Sequence, residues 1–298
     1  MKFVITGGRG FIGSHFVDLL LSSGHTVVDI DKMTYASSRD LPWDTHPNYT
    51  LIEEDISTIT HLPPCDVVVN FAAESHVDNS IVGPSVFFAS NTHGVFNLLE
   101  LIRGKIYNRP LFYHVSTDEV YGDVRAENSS EVDALSPGNP YSASKAAAEM
   151  FVLSYHNTYG VEYLITRSAN NYGERQYPEK LVPQILHCLA AGKKIPIHGD
   201  GSYIRDWVYV KDNVAAMYHL LMAGLKNDIY NISANNHMTN LEVVKAVCDW
   251  HNVAKYQNHI EFVTNRMGQD TRYSMSSEKL LSTGYQFIQE QKGLYKFI

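Results

Sequence analysis

Two short stretches carry the side chains best suited to chemistry. One is Ser116-Thr117-Asp118-Glu119-Val120-Tyr121-Gly122, directly after the apolar run Leu111 to Val115; the other is Tyr141-Ser142-Ala143-Ser144-Lys145, opening an Ala-rich stretch. Residues four apart share one face of a helix, so the Tyr141 phenol and the Lys145 ammonium can point into one site. A free phenol ionises near pH 10, and a cation held beside it favours the phenolate; a shift of three units is worth about 4 kcal/mol. Tyr141 is thereby expected to act as a base near neutrality. A Tyr-x-x-x-Lys pair also arises by accident on helix surfaces, so the elements that would position it decide its meaning.

The chain starts with a short apolar strand, Lys2 to Thr6, followed by Gly7-Gly8-Arg9-Gly10-Phe11-Ile12-Gly13 and an amphipathic helix to about Ser23. Glycines at 7, 10 and 13 predict a tight turn, close approach of backbone to a pyrophosphate, and a helix N-terminus aimed at the phosphates. Thr26 to Asp31 gives a second strand ending in a carboxylate that would bind a ribose diol and repel a 2′-phosphate, which predicts NAD rather than NADP. Asp29 competes with Asp31 for this role, and position at the strand end favours Asp31. Tyr49–Glu54 and Asp66–Ala73 read as third and fourth strands with the near-continuous hydrophobicity of a parallel sheet, and the segment between Asp55 and Asp66 leaves little room for a helix. The fold class expected is α/β, a doubly wound, mostly parallel sheet.

Phe71 to Asp78 follows the fourth strand, where ligands of such a sheet gather, and the small Ala72 and Ala73 admit a dinucleotide. His76 and Asp78 are expected in a solvated loop. Residues 85–103 and 141–159 read as two long helices with apolar stripes, ordinarily core, which would form a four-helix interface if they met a second copy. Val161 to Ser168 is a further strand. Beyond it the elements shorten: a helix opened by Pro178 and running to about Ala191, Ile195 to Gly201, Tyr203 to Trp207, and a late helix from Asn240. Lys180, Arg205 and Arg266 are candidate phosphate contacts there, and a nucleoside diphosphate is the expected guest.

Composition sets outer bounds. The 298 residues, 44% hydrophobic, suffice for a large domain and a smaller lobe. A net charge of -8 without a Lys/Arg block argues against a nucleic-acid surface. Cys65, Cys188 and Cys248 are too few and too scattered for a disulfide framework, which fits a reducing cytoplasm. No apolar run predicts a signal peptide or a membrane span, and the 14 histidines show no metal-ligand spacing. Neither a metal nor a membrane is expected.

The residues from Thr6 to Gly13, Asp31 to Ala36, Ala72 to Asp78, Ser116 to Gly122, Tyr141 to Lys145, Asn170 to Gly173, Pro178 to Leu181 and Ile204 to Trp207 together resemble the extended short-chain dehydrogenase/reductases, and within them the dTDP-glucose 4,6-dehydratase family. The glycine and Tyr-Lys motifs mark the superfamily; Asp118-Glu119 points to dehydration. The resemblance implies a Rossmann domain over 1–169, to which 205–232 returns, and a nucleotide-sugar lobe from 170–204 and 233–298. It implies that dTDP-glucose is oxidised at C4, loses water across C5 and C6, and regains hydride at C6 to give dTDP-4-keto-6-deoxyglucose. Tyr141 would take the C4 hydroxyl proton with Lys145 tuning it and Thr117 hydrogen-bonded to the same oxygen. Glu119 would remove the C5 proton and a protonated Asp118 would serve the departing hydroxyl. Adjacent carboxyls in one apolar pocket are expected to divide into an acid and a base; which is which comes from the resemblance.

By the same resemblance, cofactor contacts fall on Phe11, Ile12, Asp31, Lys32, Thr34, Asp55, Ile56, Ala72, Ala73, Ser75, Ser90 and Asn171, beside Gly7, Gly10, Gly13, Tyr141 and Lys145. Substrate contacts fall on Thr117, Asn170, Lys180, Leu181, Pro196, His198, Arg205, Asn240 and Arg266. His198 and Gln269 depart from the family pattern on the nucleotide side, leaving thymine and uracil both open. A UDP-sugar 4,6-dehydratase, a nucleotide-sugar 4-epimerase and an NAD-binding sensor without catalysis are the alternatives. A homodimer through the two long helices is expected.

Overall fold

The computed structural model describes residues 1–105, 107–124, 127–265, 267–288 and 293–294. The chain alternates strand and helix. Strand β1 (Lys2–Thr6) leads into helix α1 (Phe11–Ser22), followed by β2 (Thr26–Ile30), β3 (Tyr49–Ile52) and β4 (Val67–Asn70). Short helices α2 (Val77–Val82) and α3 (Pro84–Phe87) precede a π-helical segment, Phe88–His93, which continues into α4 (Gly94–Arg103). Then come β5 (Leu111–Thr117), a 3₁₀ turn (Asp118–Tyr121), α5 (Pro140–Tyr159), β6 (Tyr163–Ser168) and β7 (Asn170–Tyr172).

The later part holds α6 (Leu181–Ala190), β8 (Ile195–His198), β9 (Ile204–Tyr209), α7 (Val210–Met222), β10 (Asp228–Ile232) and β11 (His237–Thr239). It ends with α8 (Asn240–Trp250), β12 (Ile260–Val263) and α9 (Glu278–Ser282).

Seven strands form one sheet in the order β10-β6-β5-β4-β1-β2-β3, and each of its pairings is parallel. The strand period of two divides its side chains between two helical layers. Phe3 and Ile5 pack with Phe16 and Leu20 of α1 and Met217 and Leu220 of α7. Val4, Val68 and Phe112 face the other way, onto Leu98 and Leu99 of α4 and Val152 of α5. Each such fully buried side chain contributes roughly 1.5–3 kcal/mol. A doubly wound α/β fold is thus present.

A separate core joins α6 and α8 through Val182, Ile185, Val243 and Val247, with Ile195, Ile197 and Trp207 beneath them. Here β8 pairs with β12 in parallel, and β9 lies between β7 and β11.

Several element ends differ from expectation. The third and fourth strands stop at Ile52 and Asn70, short of Glu54 and Ala73; Ile52 faces Ile30, the last residue of β2, and Asn70 faces Thr6, the last residue of β1, while β5 runs on to Thr117. The helix expected from Pro178 starts at Leu181; Lys180 is extended at its N-cap, and Pro178 lies in the preceding turn. Asp78 is helical rather than in a loop, while His76 is the last residue of the loop before α2. The His76 ring accepts from Asn79 N as the cap of α2, and Asp78 sits in its first turn, where an acid suits the helix dipole. The helix expected over 85–103 is continuous in path, with its π-helical stretch placing Ser90 toward the site described next.

Candidate active site

A cleft of about 240 Å³ opens at the C-terminal ends of β1, β2 and β4, and every cofactor residue named above except Asn171 lines it. The expected site for a dinucleotide in a doubly wound sheet is this edge. At Gly7, with φ +73, an added Cβ would lie 2.6 Å from the Ala72 nitrogen; at Gly13 it would lie 2.2 Å from the Gly7 carbonyl oxygen. The backbone therefore meets the cleft with no side chain between. Helix α1 starts after Gly10 without a side-chain cap and without an acid in its first turn, which leaves its N-terminal end to an anion.

The two acids near the ribose position are distinguished by burial. Asp29 is fully buried and accepts from Gly8 N at 2.9 Å and the Tyr49 hydroxyl at 2.8 Å; burial pushes it up to about 7. It braces the glycine turn from below. Asp31 faces the cleft, with Oδ1 taking Met33 N at 2.8 Å and the Ser37 hydroxyl at 3.0 Å, and Oδ2 taking Arg9 N at 3.1 Å. An ionised carboxylate offers about four lone-pair sites, so Oδ2 keeps one for a diol. Lys32 spans the cleft wall, 3.0 Å from both Glu74 Oε1 and Ser90 Oγ. Donors, carboxylate and glycine cradle fit an NAD-type dinucleotide. Asn171 lies off this wall: its position on β7 opposite Val208 turns its amide to the Ala169 carbonyl at 3.0 Å.

Beyond the cleft, Tyr141 and Lys145 rise from the first turns of α5. Asn139 caps that helix, accepting Ser142 N, with Pro140 at its first position. Both side chains point to the end of β5, as the four-residue spacing predicts. Lys145, 3% exposed, donates to the Val115 carbonyl at 2.6 Å, and burial lowers it to about 8.

The expected depression of the Tyr141 phenol is not found. Burial comes first, and the neighbouring Glu119 and Asp118 carboxyls add to it, so the phenol is driven above its ordinary value; Thr117 hydrogen-bonds it and partly offsets the rise. The ammonium of Lys145 is engaged with backbone instead.

Asp118 and Glu119 start the 3₁₀ turn that Thr117 caps, and they occupy different surroundings. Asp118 is 3% exposed and lies well above the usual carboxylate range, chiefly through burial and then through Glu119. Its Oδ1 accepts from the Thr117 hydroxyl at 3.1 Å, while Oδ2 has no partner among the described residues. Glu119 is partly exposed; its Oε2 accepts from Asn139 Nδ2 at 3.4 Å and lies 3.3 Å from the Tyr273 hydroxyl, which donates to Asp270 Oδ2 at 2.6 Å. A buried acid whose protonated form is favoured and a more accessible carboxyl beside one phenol form a set able to move protons at adjacent carbons.

The second-lobe candidates are spread more widely. Lys180 lines the cleft mouth and donates to the Ser75 carbonyl at 2.7 Å. Leu181 opens α6 and packs on the lobe core, and Asn240 opens α8. Asn170 sits on β7 beside Trp207, and Pro196 and His198 lie on β8, with the His198 ring 3.0 Å from the Thr264 carbonyl oxygen. Arg205, 6% exposed, stacks on Tyr273 at 4.2 Å and donates to the Ile204 and Asp270 carbonyls. Arg266 lies outside the described residues.

Sequence reasoning missed Tyr273, Asn139 and Glu74. Asn139 before Pro140 is a helix-start signal that could have been read. Tyr273 carries none, since only the fold brings it to Glu119 across 154 positions. Among the described residues no group of His, Cys, Asp or Glu could hold a metal, and no helix is long and apolar enough to cross a membrane.

The family model described as GDP-mannose 4,6 dehydratase matches residues 4–287. The chain is 42% identical to the low-salt glycan biosynthesis protein Agl12 of Haloferax volcanii over 96% of its own length and 93% of the other. It is 38% identical to the dTDP-glucose 4,6-dehydratase of Neisseria gonorrhoeae over 94% and 88%. Among solved structures it resembles DesIV, the dTDP-glucose 4,6-dehydratase of Streptomyces venezuelae with NAD and TYD bound. That match has a TM-score of 0.91 and 36% identity, covering 96% of this chain and 92% of that one.

Proposed function

Because the chain belongs to the GDP-mannose 4,6-dehydratase family of nucleotide-sugar enzymes, we propose that it is an NAD-dependent hydro-lyase that converts dTDP-glucose to dTDP-4-keto-6-deoxyglucose. The observation that carries this reading is the unequal pair Asp118 and Glu119 beside Tyr141: Asp118 is buried, which favours its protonated form, and Glu119 is partly exposed. An epimerase needs proton exchange at C4 alone and has no use for two further carboxyls.

Gly7, Phe11, Ile12, Asp31, Lys32, Asp55 and Ser90 hold the dinucleotide. Bound in its oxidised form, NAD supplies hydride storage between C4 and C6 and a positive charge that opposes the upward push on the phenol. Tyr141 takes the C4 hydroxyl proton while Thr117 fixes the same oxygen. The resulting ketone acidifies C5, Glu119 removes that proton, and Asp118 protonates the departing C6 hydroxyl from Oδ2. Lys145, tied to the Val115 carbonyl, sets the field behind the phenol. Asn170, Lys180, Arg205 and the β8 strand with Pro196 and His198 receive the nucleoside diphosphate, in a lobe built from 170–204 and 233–298.

Support for dTDP over UDP comes from the names of the relatives. Two copies are assigned to pair through α3–α4 and α5, whose surfaces expose Phe88 (63%) and Met150 (48%). The three cysteines are free thiols, which suits a reducing cytoplasm. Proton NMR of the reaction tests the reading: a C6 methyl signal must replace the hydroxymethyl protons, and a product epimeric at C4 with C6 intact refutes it.

A further inference from the structure

We propose that Asp270 is a positioning residue for the elimination step: it holds the single hydroxyl proton of Tyr273 and so keeps that proton off Glu119. The proposal rests on the dehydratase reading, in which Glu119 is the base for C5. In that step the C5–H bond breaks, a new O–H bond forms on Glu119, and the electron pair stays on the substrate as the enolate of the C4 ketone. A hydrogen bond donated to Glu119 beforehand opposes the step, because it weakens as the carboxylate becomes an acid.

Tyr273 has one proton to give and a carboxyl on either side. Its oxygen lies 2.6 Å from Asp270 Oδ2 and 3.3 Å from Glu119 Oε2. An O–H···O bond spans about 2.5–3.0 Å, so the proton goes to Asp270. The phenol oxygen keeps its lone pairs, and these are left to face Glu119. The remaining hydrogen-bonding neighbour of Oε2 among the described residues is Asn139 Nδ2, at 3.4 Å.

This arrangement works in favour of the base. A phenol that donated to the Glu119 carboxylate would make a charge-assisted hydrogen bond, which Glu119 would have to give up on taking the C5 proton. With its proton on the Asp270 side, Tyr273 presents an acceptor instead. Glu119 gains nothing from that oxygen as a carboxylate and can donate to it as an acid. Asp270 thus acts on the reacting group through the phenol between them.

The surrounding bonds fix this geometry. Tyr273 is 3% exposed, its ring against the Arg205 guanidinium at 4.2 Å. Its backbone N–H donates to the Ile204 carbonyl at 3.2 Å, and Ile204 N donates to the Thr271 carbonyl at 3.0 Å. Asp123, just beyond the 3₁₀ turn that carries the two acids, takes Thr271 N at 2.9 Å, the Thr271 hydroxyl at 2.7 Å and Arg272 N at 2.9 Å. The Asp270 carboxyl lies against Gly138, where an added Cβ would come to 2.8 Å from Oδ1. Arg205 Nη2 and Gln269 Nε2 each bind the Asp270 backbone carbonyl at 2.9 Å, so the side chain can be removed with the loop still anchored.

The test uses holoenzyme with bound NAD and dTDP-glucose. Stopped-flow absorbance of reduced nicotinamide reads C4 oxidation, and rapid quench with mass spectrometry reads loss of water. Asp270→Ala lets the Tyr273 proton turn to Glu119; C4 oxidation should hold within about twofold while water loss slows at least about tenfold. Asp270→Leu should repeat this, which guards against a cavity peculiar to the alanine variant. Tyr273→Phe keeps the ring against Arg205 and removes the proton, and should slow water loss no more than about threefold. Without the hydroxyl, loss of Asp270 has nothing to act through, so Asp270→Ala combined with Tyr273→Phe should recover to within about twofold of Tyr273→Phe alone. A combined variant as slow as Asp270→Ala refutes the proposal, as do Asp270 variants whose water loss is unslowed or whose C4 oxidation slows equally. Wild-type holoenzyme that releases no water refutes the dehydratase reading itself, and the same measurement reads this separately.

Discussion

Gly7 and Ala72 touch backbone to backbone: a Cβ on Gly7 would come to 2.6 Å from the Ala72 nitrogen. The contact joins the turn after β1 to the segment after β4 and leaves the floor of the dinucleotide cleft bare. Gly7→Ala must therefore push the two segments apart as well as strain a left-handed backbone. The expected result is at least a tenfold loss of NAD affinity by calorimetry. Gly160→Ala is the control. Its φ is +68 with nothing within 4 Å of the added methyl, so it should cost about 1 kcal/mol of stability and leave NAD binding unchanged.

On the dehydratase reading, Glu119→Gln takes away the proposed base for C5 and leaves Tyr141, Thr117 and the cleft in place. Stopped-flow absorbance should show reduced nicotinamide accumulating from C4 oxidation, with water loss slowed at least about 100-fold. Unimpaired turnover would take the C5 role away from Glu119.

His15 on α1 has its Nε2 2.9 Å from the Glu174 carbonyl oxygen, and burial lowers the ring to about 4. A histidine in the unfolded chain ionises near 6.5. The folded pKa is the lower one, so the stability contributed by the neutral ring is complete above about 6.5 and is lost as pH falls toward 4. By pH 4 the loss should reach about 3 kcal/mol. Urea unfolding between those two pH values should reveal it, and His15→Gln should flatten that part of the curve.

Glu149 and Arg167 form a buried pair, 0% and 2% exposed, with Nη2 2.7 Å from Oε2 and Nε within 3.2 Å of both carboxylate oxygens. Arg167 also stacks on Tyr121, just after the two acids. Glu149→Gln leaves a buried guanidinium poorly compensated and should cost about 3–5 kcal/mol in chemical denaturation. Glu149 also raises Lys145, so the same change should lower Lys145 further.

Phe151 is 37% exposed on α5 and packs edge-on against Phe96 of α4. If two copies meet through these helices, Phe151→Asp places a charge in the interface. Sedimentation should then show a monomer where the unaltered protein is a dimer; an unchanged mass in both would place the interface elsewhere.

Much of the fold was legible because its signals are local. The glycine turn, the strand before it and Asp31 lie within one βαβ unit, and their spacing alone predicts the cleft edge. Tyr141 and Lys145 were readable as a helix pair for the same reason. What the chain did not disclose depends on distant segments. The strand end at Ile52 is set by where its neighbour β2 stops, at Ile30. The Tyr273 contact to Glu119 depends on folding of the late chain over β5. The upward push on Tyr141 comes from burial among carboxyls that a spacing rule does not weigh, and it outweighs the cation four residues on.

In the proposed reaction Tyr141, Asp118 and Glu119 act on one hexose to remove water. Mass spectrometry after incubation with dTDP-glucose and, separately, UDP-glucose measures this directly. A dTDP-sugar product lighter by the mass of one water is expected, with NAD recovered in its oxidised form. Both nucleotide sugars returned at unchanged mass by protein that carries NAD would contradict it.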